Sequence, residues 1–234
     1  MVHLRVADAD RAMTFFGSLF AWEAERVVHE RKVSHYTLNT AVTVRLLEDP
    51  AVAPVVPNYR VSDVGATIRA IDQAGGRIAR SEAAADGGGW ARGEDDQGLP
   101  LLVYRPDGYE NHGGRRREPT GDVGLVFIRA DVPRAGRFYG AVLGWDLRRD
   151  HPESYYFDAV PHVGIFDEGA AFGGDVVPST TIYFAVDLLG PALAEVEELG
   201  GQAGTAARDM GPYFTAMCTD DQGTEFGLMA LELE

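Results

Sequence analysis

Asp8-Ala-Asp-Arg-Ala-Met-Thr-Phe-Phe-Gly-Ser-Leu-Phe-Ala-Trp22 recurs 123 residues later as Asp131-Val-Pro-Arg-Ala-Gly-Arg-Phe-Tyr-Gly-Ala-Val-Leu-Gly-Trp145. A second anchor, Asp95-Asp-Gln-Gly98, returns 125 residues later as Asp220-Asp-Gln-Gly223. Two separated anchors at nearly one offset mark a duplicated unit, so the 234 residues divide into two halves, each long enough for a core of its own. The expected boundaries are a first domain at 1–107, with modules 1–50 and 55–107, and a second at 122–234, with modules 122–168 and 178–234. Between them, 108–121 is rich in Gly and Arg, contains Pro119, and reads as a linker.

Within each half one grammar repeats. A short apolar strand runs into an Asp, an amphipathic helix follows, and further strands close the module. In the first module Val2, Leu4 and Val6 alternate, Asp8 or Asp10 is placed to cap, and Met13, Phe16, Leu19 and Phe20 recur at helical spacing. Strands are expected over 24–30, 33–39 and 41–47, which makes the module βαβββ. The second module starts at Val55, turns at Asp63 into a helix that stops at Gly75-Gly76, and closes on Leu99 to Tyr104. The third and fourth repeat this order from Val123 and Thr180, with helices after Asp131 and Asp187 and a stop at Gly200-Gly201.

Hydrophobic residues make up 45% and charged residues 24% of the chain, an ordinary globular balance. No apolar run approaches the roughly 18 residues of a membrane span, and the N-terminus lacks the apolar core of a signal peptide, so a cytoplasmic protein with no membrane partner is expected. With 36 acidic against 21 basic side chains the net charge is −15, which repels phosphate backbones and argues against nucleic acid. The one basic run, Arg115 to Arg117, lies in the linker. Cys218 is the only cysteine and reads as a small buried strand residue, with no disulfide and no cysteine cluster to form. Gly87 to Gly89 and Gly173-Gly174 lack the following Lys-Ser/Thr of a phosphate loop and read as loops over a site. No Ser/His/Asp arrangement stands out.

Four βαβββ units carrying the two Asp-x-x-Arg-Ala segments, the Gly-Gly helix stops and the Asp-Gln-Gly turns resemble the vicinal oxygen chelate superfamily, also called the glyoxalase/bleomycin-resistance/dioxygenase family. The resemblance spans nearly the whole chain outside the linker. It implies an α+β fold in which four βαβββ modules pair into two open, cup-like half-barrel domains of glyoxalase type, with ligand or metal on each concave floor. It does not imply one reaction, since the superfamily hosts isomerases, epoxide openers, dioxygenases and drug-sequestering proteins.

Metal-using members of the family place ligands on the first strand of each module and four residues after the turn glycine. Those positions fall here on Met1, Pro57, Gly124 and Thr181, and on Leu102 and Gly227, none of which offers a usual side-chain ligand. No cofactor is therefore expected. The alternative is a divalent metal held by displaced ligands, His3 with Glu48 or His35, serving a metal-dependent lyase, isomerase or dioxygenase.

Strand parity places His3, Tyr36, Arg45, Tyr59 and Tyr104 in the first cup. It places Phe127, Tyr156, Tyr183 and Phe226 in the second, with Trp90 on a flanking strand. Such aromatic, polar-tipped walls suit a small organic ligand. Within them His3 is the candidate base and Arg45 the candidate anchor for an anionic group. The expected function is small-molecule binding, in the manner of bleomycin-resistance-like relatives that sequester a drug or natural product, or transformation of that ligand. Two full pairs of modules in one chain leave no need for exchange between chains, so a monomer or weak homodimer is expected.

Overall fold

The computed structural model describes residues 1–29, 32–49, 55–105, 120–151, 154–157, 162–167, 177–204, 207–210 and 213–234. Most of the expected linker, with Arg115 to Arg117, and the Gly173-Gly174 pair lie outside the described residues. The chain is an α+β protein whose described strands lie in two curled sheets, of eight and nine strands, with four helices. This is the architecture expected of paired βαβββ modules.

In the first module, β1 (Val2–Val6) leads into α1 (Ala9–Phe20), followed by β2 (Ala24–His29), β3 (Lys32–Thr37) and β4 (Val44–Glu48). The second contains β5 (Val55–Arg60), α2 (Val64–Gln73), β6 (Arg77–Ala83), β7 (Gly89–Glu94) and β8 (Pro100–Arg105). The third contains β9 (Val123–Arg129), α3 (Val132–Leu143), β10 (Arg148–His151), β11 (Ser154–Phe157) and β12 (His162–Phe166). The fourth contains β13 (Ser179–Ala185), α4 (Leu189–Glu198), the short β14 (Gln202–Ala203) and β15 (Arg208–Asp209), then β16 (Phe214–Thr219) and β17 (Glu225–Ala230).

Three helices start where an Asp accepts an orphan backbone N–H. Asp8 takes that of Arg11 at 2.9 Å, Asp63 that of Ala66 at 2.7 Å, and Asp131 that of Arg134 at 2.8 Å. Asp10 is thus not the cap of α1. The fourth helix departs from the pattern, because its cap position is Leu188 and no side chain bonds there. Leu188 instead makes a parallel bridge with Glu232, so a β contact occupies the place of the cap expected from Asp187.

By compactness the chain forms two units that cut across the sequence halves. One comprises Met1–Val55, Gly114–Val126 and Thr181–Glu234, and the other Val56–Gly113 and Phe127–Thr180. The repeated motifs explain this grouping. In the first unit the backbone N–H of Asp8 donates to Gln222 Oε1 at 2.9 Å, Gln222 Nε2 donates to the Asp8 carbonyl at 3.1 Å, and Arg11 bonds Asp221. In the second unit Asp131 N donates to Gln97 Oε1 at 2.8 Å and Gln97 Nε2 to the Asp131 carbonyl at 3.4 Å, while Arg134 bonds Asp96. The helix-start motif of one half is therefore clasped by the Asp-Gln-Gly turn of the other, and the same clasp is made twice.

Each unit has an aromatic core beside its clasp. In the first unit Phe16 lies among Phe15, Phe20, Trp22, Phe184 and Phe226, with ring centroids 5.1 to 6.0 Å from its own. Trp22 closes this cluster by donating its indole N–H to the Gly121 carbonyl at 3.0 Å. In the second unit Tyr139 stacks on Trp145 at 5.2 Å and meets Tyr59 edge-on at 6.0 Å.

Candidate functional site

In the first unit, register separates the two faces of β2-β3-β4-β1. His35 of β3 reaches Asp10 of α1, its Nε2 2.6 Å from Oδ1, which puts His35 on the helix side. Leu46 is in register with His35 and Leu4 with Leu46, and both leucines are fully buried beneath α1. The next row of residues points the other way. It runs His3, Arg45, Tyr36, each in register with the next on the neighbouring strand, and it forms the open face of this half-sheet.

Arg45 is the centre of that row. Its guanidinium lies over the Tyr36 ring, 4.9 Å from the centroid, and its Nη2 donates to Ser34 Oγ at 3.1 Å. Its Nε is buried and has no hydrogen-bond partner. A guanidinium bonded only to a hydroxyl and an aromatic face keeps its charge uncompensated by those partners. An oxyanion is the group that its remaining donors accept best.

The helix side carries a second polar cluster. Arg26 donates both Nε and Nη2 to the Asp10 carboxylate at 2.8 Å, and His35 joins on the same oxygen as Nε. Hydrogen bonds from Arg26 and then His35 hold the Asp10 carboxyl well below the usual carboxylate range. Glu48 shares this helix-side parity, because it pairs with Val6 as Leu46 pairs with Leu4. His3 therefore shares a face with neither His35 nor Glu48, and the displaced ligand set does not converge.

In the second unit the open face of β5-β8-β7-β6 is set by Leu101 and Val103, which are 1% and 0% exposed in the core. Tyr104 and Leu102 alternate with them and face away from α2. Tyr104 is in register with Trp90, which donates its indole N–H to Glu82 at 3.3 Å and lies beneath the Arg80 guanidinium. Tyr59 is in register with buried Val103 and packs on Tyr139 and Trp145, so it belongs to the core and not to the expected cup. The reason is that Val55 through Asn58 are all buried, which erases the alternation that parity needs. Asn58, which the sequence reading passes over, takes the open-face position instead. The unusual Asn within an apolar strand start is the signal that points to it.

The other expected wall residues divide in the same way. Phe127 meets Phe166 at 6.0 Å, and Tyr156 stands opposite Gly164 on the β11–β12 ladder. Tyr183 lies on the open face of β13, in register with Gly227, which is in register with Met217. Its hydroxyl reaches Met217 Sδ at 3.3 Å. Phe226 is fully buried beside Phe15, Phe16 and Phe184, so it is a core ring displaced by one residue from the wall position that Gly227 occupies. Cys218, in register with Phe226, is buried in β16, and burial pushes its thiol up to about 12.

A scan against protein-family models gives no match, and no curated protein matches the chain. Solved structures do. The fold is similar to that of a Mn(II)-bound glyoxalase from Novosphingobium aromaticivorans, with a TM-score of 0.67 and 14% identity over 100% of this chain and 81% of that one. It is similar to a 4-hydroxymandelate synthase variant from Streptomyces coelicolor, with a TM-score of 0.61 and 12% identity over 98% and 91% of the two chains. It is also similar to 2,2',3-trihydroxybiphenyl 1,2-dioxygenase from Sphingomonas wittichii, with a TM-score of 0.61 and 17% identity over 98% and 88%. The chain thus has the vicinal oxygen chelate fold that its repeats resemble.

These likenesses correct the expectation that no cofactor belongs here, since a structure with this fold is bound to Mn(II). That expectation counts positions from turn residues. Tyr59 shows that such counting is one residue out in β5, because Pro57 shares its parity and therefore the core face, and one residue moves a side chain to the opposite face. Among the described residues, no group of three or more His, Cys, Asp or Glu side chains is placed to hold a metal ion, so they do not by themselves fit the manganese of that neighbour. No helix of the described residues is long and apolar enough to cross a membrane.

Proposed function

We propose that the chain binds a small, partly aromatic organic anion on the open face of β1, β4 and β3, with Arg45 as the anchor and Tyr36 and His3 beside it. The observation that carries this reading is the Arg45 guanidinium, stacked on Tyr36 and bonded to Ser34, with a buried Nε that no protein group accepts from. A ligand carboxylate or enolate satisfies that donor, and an aromatic ring extends the stack already begun by Tyr36. The in-register pairing of His3 with Arg45 supports a catalytic form of the same reading, in which His3 is the base for a ligand held by Arg45. Sequestration of a drug-like or natural-product anion is the non-catalytic form.

Thermal shift and calorimetry with benzoate, salicylate and phenylpyruvate test this reading. Arg45→Met removes the anchor, and because charge-assisted bonds contribute about 1.5–3 kcal/mol, affinity falls roughly tenfold or more. Unchanged affinity in that variant overturns the assignment. If His3 acts as base, His3→Gln lowers turnover while leaving affinity nearly unchanged.

The Mn(II)-bound glyoxalase neighbour favours a second reading, a metal-dependent lyase, isomerase or dioxygenase. Elemental analysis after incubation with Mn(II) and Fe(II) separates the two. Near-stoichiometric metal supports the second reading, and only trace metal counts against it.

A further inference from the structure

Asn58 is 8% exposed, and neither its Nδ2 nor its Oδ1 has a hydrogen-bond partner. Burying a carboxamide without partners costs roughly 1–3 kcal/mol for each unpaired group, more than an aliphatic residue at the same place. The start of β5 otherwise buries apolar side chains, Val55 and Val56 both being 1% exposed, so Asn58 stands out as the carboxamide among them. An unpaired amide persists where its partner comes from outside the chain.

Its surroundings indicate which partner. Asn58 is in register with Leu102, and Leu102 with Arg92, so the three form one row on the open face of β5-β8-β7. Tyr104 stands two residues along β8 on the same face, with Trp90 opposite it in register. An apolar floor at Leu102 and flat rings at Tyr104 and Trp90 suit a planar ligand. The Asn58 amide presents one donor and one acceptor side by side, in one plane. That pair is complementary to another donor–acceptor edge, as in a primary carboxamide or a lactam, with which it forms two antiparallel hydrogen bonds. An ester or ketone offers only an acceptor and leaves the Asn58 oxygen unpaired.

We propose that Asn58 is a recognition residue for a flat aromatic or heteroaromatic ligand carrying a carboxamide or lactam edge. This subsite lies wholly within β5, β8 and β7 and does not depend on Arg45. Benzamide and 2-pyridone carry the edge, while methyl benzoate matches benzamide in size and lacks the donor. Calorimetry on the full chain is expected to show benzamide and 2-pyridone binding at least tenfold tighter than methyl benzoate. Asn58→Leu should abolish that preference while leaving the weak binding of methyl benzoate unchanged. The Asn58 side-chain NH2 resonance of the unaltered protein provides a readout independent of the variant's folding, and it should shift on adding benzamide but not methyl benzoate. Equal affinity for the three probes, or an unmoved Asn58 resonance at saturating benzamide, overturns the proposal. Because benzamide is uncharged, a failure here leaves the Arg45 reading standing, and loss of benzoate binding in Arg45→Met leaves this one standing.

Discussion

The hydroxyl of Tyr139 donates to Asp95 Oδ2 across 3.1 Å, inside the core of its unit. At the equivalent place in the other unit, Phe16 occupies the position of Tyr139, and Asp220 Oδ2 is buried with no partner. In both, the Oδ1 accepts from backbone N–H groups of the turn that follows, at 2.7 to 2.9 Å. The hydroxyl bond that Tyr139 makes to Asp95 in one copy thus has no counterpart from Phe16 in the other. Tyr139→Phe should lower unfolding stability by about 1–3 kcal/mol, because it orphans a buried carboxylate oxygen. Phe16→Tyr should raise it by about 1 kcal/mol, or by less where the ring cluster must shift to admit the oxygen. Urea unfolding midpoints of the two variants check both signs.

Asp10 gives a pH test. Its carboxyl is held down first by the Arg26 hydrogen bonds and then by His35. A carboxyl with a depressed folded value contributes stability that is present above its unfolded value, about 3.9, and is lost as pH falls through the folded one. Asp10→Asn should therefore be slightly destabilised near neutral pH, and its difference from the unaltered protein should shrink steadily below about pH 4. The effect is small because both Asp10 and Arg26 are about half exposed. Thermal melts at pH 7, 5 and 3 measure it.

The ends of the two repeated helices give a backbone test. Ala21 closes α1 with φ 51°, the only positive φ outside glycine among the described residues, and Gly144 closes α3 with φ 68°. A left-handed Cα strains an L side chain and costs a glycine nothing. Ala21→Gly should stabilise the chain by about 0.5–1 kcal/mol, and Gly144→Ala should cost a similar amount, both read from denaturation midpoints.

Gly227 gives a packing test. A Cβ there meets the Tyr183 ring at 2.2 Å, so the ring lies across a glycine that has no room for any other residue. Gly227→Ala should cost about 1–3 kcal/mol through displacement of Tyr183. Adding Tyr183→Ala should cost less in the Gly227→Ala background than alone, a coupling that a double-mutant cycle reveals.

The repeat at Asp8–Trp22 and Asp131–Trp145 was enough to read the modules, since capping aspartates and helical spacing are local properties. Two strands of the fourth module, β14 and β15, are only two residues long and leave no periodicity to find. The site was less legible. His3, Tyr36 and Arg45 do share a row, because His3 and Arg45 are each half-exposed between buried neighbours, Val2 and Leu4 on β1 and Val44 and Leu46 on β4. Strand parity puts Tyr59 and Phe226 on the wrong face, because their strands bury both sides and alternation no longer tells inside from outside. Nor does a sequence repeat say that Gln222 of one copy bonds Asp8 of the other. That pairing is long-range geometry, invisible to any window of residues.

The crossed clasps also order events at the ribosome. The unit built from Val56–Gly113 and Phe127–Thr180 has all its residues once the chain has passed Thr180, whereas the other waits for Asp220, Asp221 and Gln222 to emerge. Residues 1–55 are made before both of these stretches, yet α1 meets its clasp only after Asp221 and Gln222 have emerged. With translation at about 5–20 residues per second, that leaves roughly 10–40 seconds in which Phe15 and Phe16 lack the Phe226 ring that packs on them in the finished protein. A helix made ahead of the whole Val56–Thr180 stretch thus reaches its final packing after it.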